Sequence, residues 1–179
     1  MVAVWAALSL CAGFSALADQ NDPKLPDYYD QLQAAESSSE AVEIESRIWQ
    51  SWLAAPDDES DRLLREVVSA LEQRDLREAL IISSILVENY PDYSEGWNKR
   101  ATIYYLMGDF DSSVADIGET LRLEPRHFGA ISGLGLIFRA NGDLEASLDA
   151  FEQVLRISPQ SSNAQRSVAD LKNLLGSEI

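Results

Sequence analysis

The sequence predicts an all-α solenoid of paired helices, and three observations carry that expectation. Pro91, Pro125 and Pro159 recur every 34 residues, a spacing that marks stacked supersecondary units. The same interval joins Asp75, Asp109 and Asp143, and also Gly108 with Gly142. Between these landmarks the apolar residues follow the i, i+3, i+4, i+7 stripe of helices buried on one side. Leu63, Val67, Ala70 and Leu71 make one such stripe, and Trp97, Ala101, Tyr104 and Tyr105 another.

Residues 1–18 stand apart from the repeats. Met1 to Leu17 carries no charged side chain and ends in Ala16-Leu17-Ala18 ahead of Asp19, the small-x-small pattern of a signal peptidase site. Residues 1–18 are therefore expected to be a signal peptide cleaved after Ala18, with the mature chain exported to a bacterial periplasm. The apolar run stops at Asp19, Asp22 and Pro23, short of the roughly 20 apolar residues of a spanning helix. No stable membrane span is expected after cleavage. No Lys or Arg follows Met1, which departs from the usual positive start of a signal peptide. Leu10, not a small residue, precedes Cys11, which argues against lipidation there. Cleavage at Ala18 leaves a chain without cysteine, indifferent to an oxidising compartment.

One period before Pro91 falls at position 57, beside Pro56. With Pro56 as anchor, Tyr28, Leu32 and Ala35 take first-helix core positions, and Ile44 and Ile48 second-helix ones. Ser37 and Glu40 match a capping box. Residues 19–57 thus read as an N-terminal helical hairpin, a degenerate repeat. Trp52 lies on the Ile44-Ile48 stripe and is expected to be buried against the first full repeat. Trp49, about 100° from Ile48 around the helix, is expected to be half-exposed. The full repeats span 58–91, 92–125 and 126–159. Asp75, Asp109 and Asp143 each precede a helical stripe, where a carboxylate accepts from the open amides of the first turn. The run Asp57-Asp58-Glu59-Ser60-Asp61 lacks the alternating ligands and glycine of a calcium loop; ahead of Leu63 and Leu64 it suits the start of a helix. Residues 160–179 place Val168, Leu171, Leu174 and Leu175 on one face, as a capping helix that covers the apolar flank of the last repeat.

The repeat resembles the tetratricopeptide (TPR) family. In the middle unit Trp97, Ala101, Tyr104, Gly108, Phe110, Ile117 and Pro125 fall where the TPR pattern has Trp, small, Tyr, Gly, aromatic, large apolar and Pro; Ser113 replaces the usual Ala. The last unit carries Ile131, Leu134, Gly135, Phe138, Gly142, Leu144, Ser147, Phe151 and Pro159, and the first is looser. The resemblance implies a scaffold that holds a protein or peptide on its inner face. It places Asn98, Thr102 and Tyr105 of the second repeat and Ser132, Leu136 and Arg139 of the third at ligand-facing positions. Lys99, Arg100, Arg126 and His127 are close by in sequence. This basic cluster in an acidic chain suggests an acidic or C-terminal peptide segment as ligand, unless the cations pair with neighbouring carboxylates. The first repeat has apolar Leu64, Val68 and Leu71 at its groove positions, which disfavours a chaperone carboxylate clamp and suggests that the N-terminal hairpin covers that end.

Composition narrows the chemistry further. With 46% hydrophobic and 25% charged residues in 179, the chain suits a globular domain or short repeat array. Its 14 basic and 30 acidic side chains give a net charge of -16, which repels phosphate backbones and argues against nucleic acid as partner. One His and one Cys cannot build a His/Cys zinc site. His127 is the one available base for a Ser-His-Asp site, and at a helix start it reads as a ligand contact or as junction packing. No cofactor, metal or catalytic residue is expected, and the chain is read as a non-enzymatic adaptor. A self-associating assembly factor is the alternative. Gly129 and Gly133, inside a predicted helix, suggest close approach of a ligand or of the chain's own N-terminal segment.

Overall fold

The second helix of each repeat opens on the aspartate that the 34-residue spacing picks out. Asp75 accepts the Glu78 amide, Asp109 that of Ser112 and Asp143 that of Ala146. The computed structural model describes residues 22–176; the signal peptide expected over 1–18 and the last three residues of the cap lie outside them. Among the described residues there are nine helices and no strand: α1 (Leu25–Ala34), α2 (Ser38–Leu53), α3 (Asp58–Glu72), α4 (Leu76–Asn89), α5 (Ser94–Met107), α6 (Phe110–Leu123), α7 (Phe128–Ala140), α8 (Leu144–Ile157) and α9 (Ser162–Gly176). None is long and apolar enough to cross a membrane.

From α3 onward each helix packs on the next, giving a continuous all-α solenoid. Within the second and third repeats a serine pins the two helices together. Ser113 donates to the Ala101 carbonyl at 2.8 Å, and Ser147 to that of Gly135 at 2.7 Å. Gly135 has to be small, because a Cβ there would lie 2.7 Å from the Phe151 ring. The first helices of these repeats end at Gly108 and Gly142, with φ of 79° and 83°; in the first repeat the same column holds Arg74 at φ 59°. The acid run is a helix start: Asp57 and Ser60 form a reciprocal capping box on α3. The cap α9 buries Ala164, Val168 and Leu171, while Leu174 remains 42% exposed, so the apolar stripe is covered over its first three turns only.

Residues 25–53 form the expected helical hairpin, and Ser37 caps α2 by accepting from the Glu40 amide. Its position differs from that of a fourth repeat stacked ahead of α3. The hairpin folds back along the loops that join the repeats, with α1 against α8 and α2 against α5. Near the α8–α9 junction, Ser158 donates to the Glu45 carboxylate at 2.8 Å. In the same region Gln33 Nε2 donates to the carbonyls of Arg156 and Ile157. At the next junction Trp52 stacks on His127, with centroids 4.0 Å apart. At the first, Tyr93 donates its hydroxyl to the Leu53 carbonyl at 3.1 Å.

The physical reason is the apolar stripe of the hairpin. Leu25, Tyr29, Leu32, Ile44, Ile48 and Trp52 join one buried cluster with Phe128, Ile131, Phe151 and Val154. Trp52 is fully buried, as its stripe requires, but against the third repeat and not the first.

Candidate functional site

The inner face divides into a sealed end and an open end, and the residues at the starts of α5 and α7 explain the sealed one. His127 is the N-cap of α7: its Nδ1 accepts from the Ala130 amide at 3.1 Å. A ring nitrogen that accepts carries no proton, so Nε2 is the donor, and it meets Glu95 Oε2 at 3.1 Å. Asn98 Nδ2 donates to the same oxygen at 2.8 Å, and Lys99 Nζ lies 2.7 Å from Oε1. Glu95 and His127 have fully buried side chains. Burial raises the pKa of the Glu95 carboxyl, but the hydrogen bond from His127 and the charge of Lys99 outweigh it, and the net shift is downward. A carboxylate buried this way needs partners: both hydrogen bonds go to Oε2, and Oε1 has only the Lys99 charge beside it.

The α2 tryptophans roof this cluster. Trp52 stacks on His127, and Trp49 meets Trp52, His127 and Phe128 edge-on with centroids 5.0, 5.4 and 5.7 Å apart. Trp49 is half-buried, and it accounts for Gly129, where a Cβ would lie 2.7 Å from the indole. The approaching group is thus the chain's own N-terminal segment. Gly133 differs, since its nearest neighbour is the Ile117 side chain of α6 at 3.2 Å. At the first repeat, Leu64 is buried beside Ala55.

The basic cluster expected from the sequence is mostly neutralised. Lys99 pairs with Glu95 and sits 5.9 Å from the Trp49 ring centre. Arg100 makes two hydrogen bonds to Asp116 of α6, at 2.7 and 2.8 Å. The Asp116 partner raises the Arg100 pKa above its ordinary value. Arg126 lies over the Tyr29 ring at 3.6 Å from its centre and 3.9 Å from Glu124. His127, fully buried, contacts no solvent-borne ligand. Arg139 alone of the expected groove cations has no ion-pair partner among the described residues.

Beyond the sealed end, a cavity of about 270 Å³ opens between α5 and α7, and Asn98, Thr102, Tyr105, Ser132 and Leu136 line it together. Lys99, Arg126, His127 and Arg139 do not. Apart from the Tyr105 phenol, the polar groups in this wall are already engaged. Thr102 donates to the Asn98 carbonyl, Ser132 to that of Phe128, and the Asn98 amide to Glu95. What faces the cavity is therefore largely apolar, with Ala101, Ile117 and Ile137 as its floor. Tyr105 is held in place by stacking on Phe110 at 5.6 Å, and Leu136 is 42% exposed.

Sequence reasoning missed Glu95, although its spacing of four from Lys99 on a helix is a pairing signal. It also missed a second hollow, where Asn163, Arg166 and Asp170 of α9 face Ser132 and Leu136. One more step of the 34-residue period, from Phe128 to Ser162, would have put these α9 residues on the inner face.

An array of this kind, helical hairpins stacked so that their first helices line one hollow face, defines a repeat scaffold. The chain belongs to the tetratricopeptide repeat family. A profile of that family matches residues 98–162. A TPR repeat-containing protein of Rhizobium etli is 32% identical over 145 residues, which is 81% of this chain and 71% of the relative. The human Superkiller complex protein 3 is 28% identical over 80 residues, only 5% of its length. Among solved structures, the Sgt2 TPR domain of Aspergillus fumigatus superposes with TM-score 0.63 at 21% identity, covering 69% of this chain and 83% of that one. The first TPR domain of Spaghetti (RPAP3), solved bound to an HSP90 peptide, gives 0.62 at 20% identity, covering 65% and 93%. At these identities the two structures establish the fold alone.

Proposed function

We propose that this protein is a non-enzymatic peptide- or protein-binding scaffold whose ligand lies in the inner groove of the second and third repeats, between α5 and α7. One observation carries the reading. Five of the expected ligand positions, Asn98, Thr102, Tyr105, Ser132 and Leu136, converge on one hollow, and Trp49 and Trp52 close the face beside it over His127 and Phe128. The Spaghetti domain, which shares the fold, was solved with a peptide bound. The apolar run ending in Ala16-Leu17-Ala18 supports export to the periplasm, with the scaffold acting in the cell envelope.

A photo-crosslinking residue at Tyr105, introduced in the native host, tests the first part. Capture of a partner from Tyr105 but not from Ile81 on α4 is expected; equal capture from both positions would remove the groove as the contact. Sequencing of the N-terminus of the cellular protein tests the second, with Asp19 as the expected first residue and a full-length cytosolic chain as the contrary result.

Self-association is the second reading, and a specific comparison favours it. Ile81 and Ile85 of α4 are 51% and 42% exposed, whereas the same columns hold Ala115 and Glu119 in the second repeat and Asp149 and Gln153 in the third. An apolar pair placed where its sister repeats are more polar suits contact with another copy. Mass measured across a range of concentrations distinguishes the two.

A further inference from the structure

We infer that the groove takes an uncharged, extended segment of a partner: one apolar side chain in the α5–α7 cavity, with the adjoining main chain held along α9. This rests on the reading of the groove as a peptide site and goes beyond it by assigning the ligand's chemistry and a second contact helix.

Charge is the first argument. Two of the cations that could attract an acidic tail are spent inside the fold, Lys99 on Glu95 and Arg100 on Asp116, and the third, Arg126, is exposed but lies over Tyr29 beside Glu124, outside both hollows. Arg139 is exposed but lines neither hollow. With a net charge of -16, the rest of the surface repels anions at long range. An acidic ligand therefore meets long-range repulsion, and the one cation that lines a hollow, Arg166, has the Asp170 carboxylate one turn away on the same wall.

The cavity wall is the second argument. Its Thr102, Ser113 and Ser132 hydroxyls donate to helix carbonyls and its one amide serves Glu95, which leaves the Tyr105 phenol as its one unengaged polar group. A charged side chain entering there would lose its water and find only the Tyr105 phenol in exchange, which is costly. An apolar side chain loses nothing, and the volume of about 270 Å³ admits one.

The helix α9 supplies the third. Ser132 and Leu136 border both hollows, so they form the ridge between an apolar chamber on the α5 side and a polar one on the α9 side. On α9 Asn163 accepts from Arg166, and Asp170 lies one turn further along the same wall. The remaining amide and guanidinium N–H groups are donors and the Asp170 oxygens are acceptors. One cation beside one anion is neutral overall but offers both halves of a hydrogen-bonding pair. That is what an extended main chain presents and requires. Neighbouring packed helices lie about 8–10 Å apart, so about three residues of extended chain separate the anchor from its α9 contacts.

The test is selection of peptides from a random display library on the full chain, followed by affinity measurements at low and high salt. Four variants are compared: Thr102→Trp, which fills the cavity from an exposed position, Leu136→Asp, Asn163→Ala and Arg139→Ala. Circular dichroism confirms that each is folded. The expected result is selected peptides sharing one apolar residue, with affinity nearly independent of salt. Thr102→Trp or Leu136→Asp should then cost about 10-fold or more, Asn163→Ala several-fold, and Arg139→Ala nothing. Peptides rich in Asp or Glu, whose binding collapses in salt or with Arg139→Ala yet still requires an unfilled cavity, would overturn the uncharged-ligand inference and leave the peptide groove standing. Failure to select any peptide, or peptides indifferent to Thr102→Trp and Leu136→Asp, would overturn both.

Discussion

Replacing Gly129 by alanine sets two effects of opposite sign against each other, and the seating of Trp49 decides which one wins. Helix propensity favours alanine over glycine by about 1 kcal/mol in a helix interior, and by less at Gly129, the second residue of α7. Against this, the new Cβ would lie 2.7 and 2.8 Å from Cη2 and Cζ2 of the Trp49 indole. The indole is rigid and is flanked by Trp52, His127 and Phe128, so it cannot yield by a rotamer twist. Overpacking of this kind costs about 1–3 kcal/mol. If Trp49 leaves its place, three edge contacts go with it, at about 0.5–1.5 kcal/mol each. The net expectation for Gly129→Ala is a loss of about 1–2 kcal/mol. For a chain of this size that is a fall in Tm of about 2–8 °C. The decisive assay is a double-mutant cycle by thermal and urea unfolding. In a Trp49→Ala background the indole clash is gone and only His127 Cε1 remains close, at 3.3 Å, so the cost of Gly129→Ala should fall to near zero. Stabilisation by Gly129→Ala in the otherwise unaltered chain would show that α2 does not lie on α7 as described.

Other perturbations follow from single contacts. Arg74 holds φ 59° where its sister repeats have glycine, so Arg74→Gly should stabilise by about 1 kcal/mol in urea unfolding; a loss would mean that its side chain offsets the strain. Gly118 has nothing within 4 Å of a built Cβ, and Gly118→Ala should also gain about 1 kcal/mol, as a propensity control for the Gly129 cycle. The Glu95 carboxyl has a lowered folded-state pKa. Its contribution is therefore present above the ordinary carboxylate range and is lost as pH falls through the folded value. Urea midpoints below about pH 4 should drop less steeply in Glu95→Gln than in the parent, and parallel curves would contradict the assignment. Arg100→Ala leaves Asp116 buried without its partner and should cost about 3 kcal/mol by calorimetry; a cost near zero would make the pair dispensable.

The repeat was legible because its signals are local or strictly periodic. Asp75, Asp109 and Asp143 act on amides three residues away, and the small residues at 101, 113, 135 and 147 recur in step with the helices they join. The N-terminal helices were legible as helices for the same reason, through the Ser37 cap and the Ile44-Ile48-Trp52 stripe. Their docking was not. A stripe states which face is buried and is silent on the partner, and the contacts that place the hairpin join Gln33 to Arg156 and Glu45 to Ser158 across more than 110 residues. The same limit governed the candidate site. Column positions placed Thr102, Tyr105, Ser132 and Leu136 around one cavity. Charge counting then treated Lys99, Arg100 and Arg126 as available, although Lys99 has Glu95 one turn away on its own helix, helix pairing brings Asp116 to Arg100, and the hairpin brings Tyr29 to Arg126. His127 sits at a junction, as its position after Pro125 suggested, but there it caps a helix and supports Glu95.

The central claim is that a ligand occupies the hollow between α5 and α7 beyond the Trp49 roof, and amide and indole chemical shifts measured during titration with a selected peptide test it most directly. The account predicts that the largest changes fall on Thr102, Tyr105, Ser132 and Leu136, with a second group on Asn163 and Arg166 and an unmoved Trp49 indole. Changes centred on Ile81 and Ile85 of α4, or release of the Trp49 indole from Gly129 on binding, would contradict it.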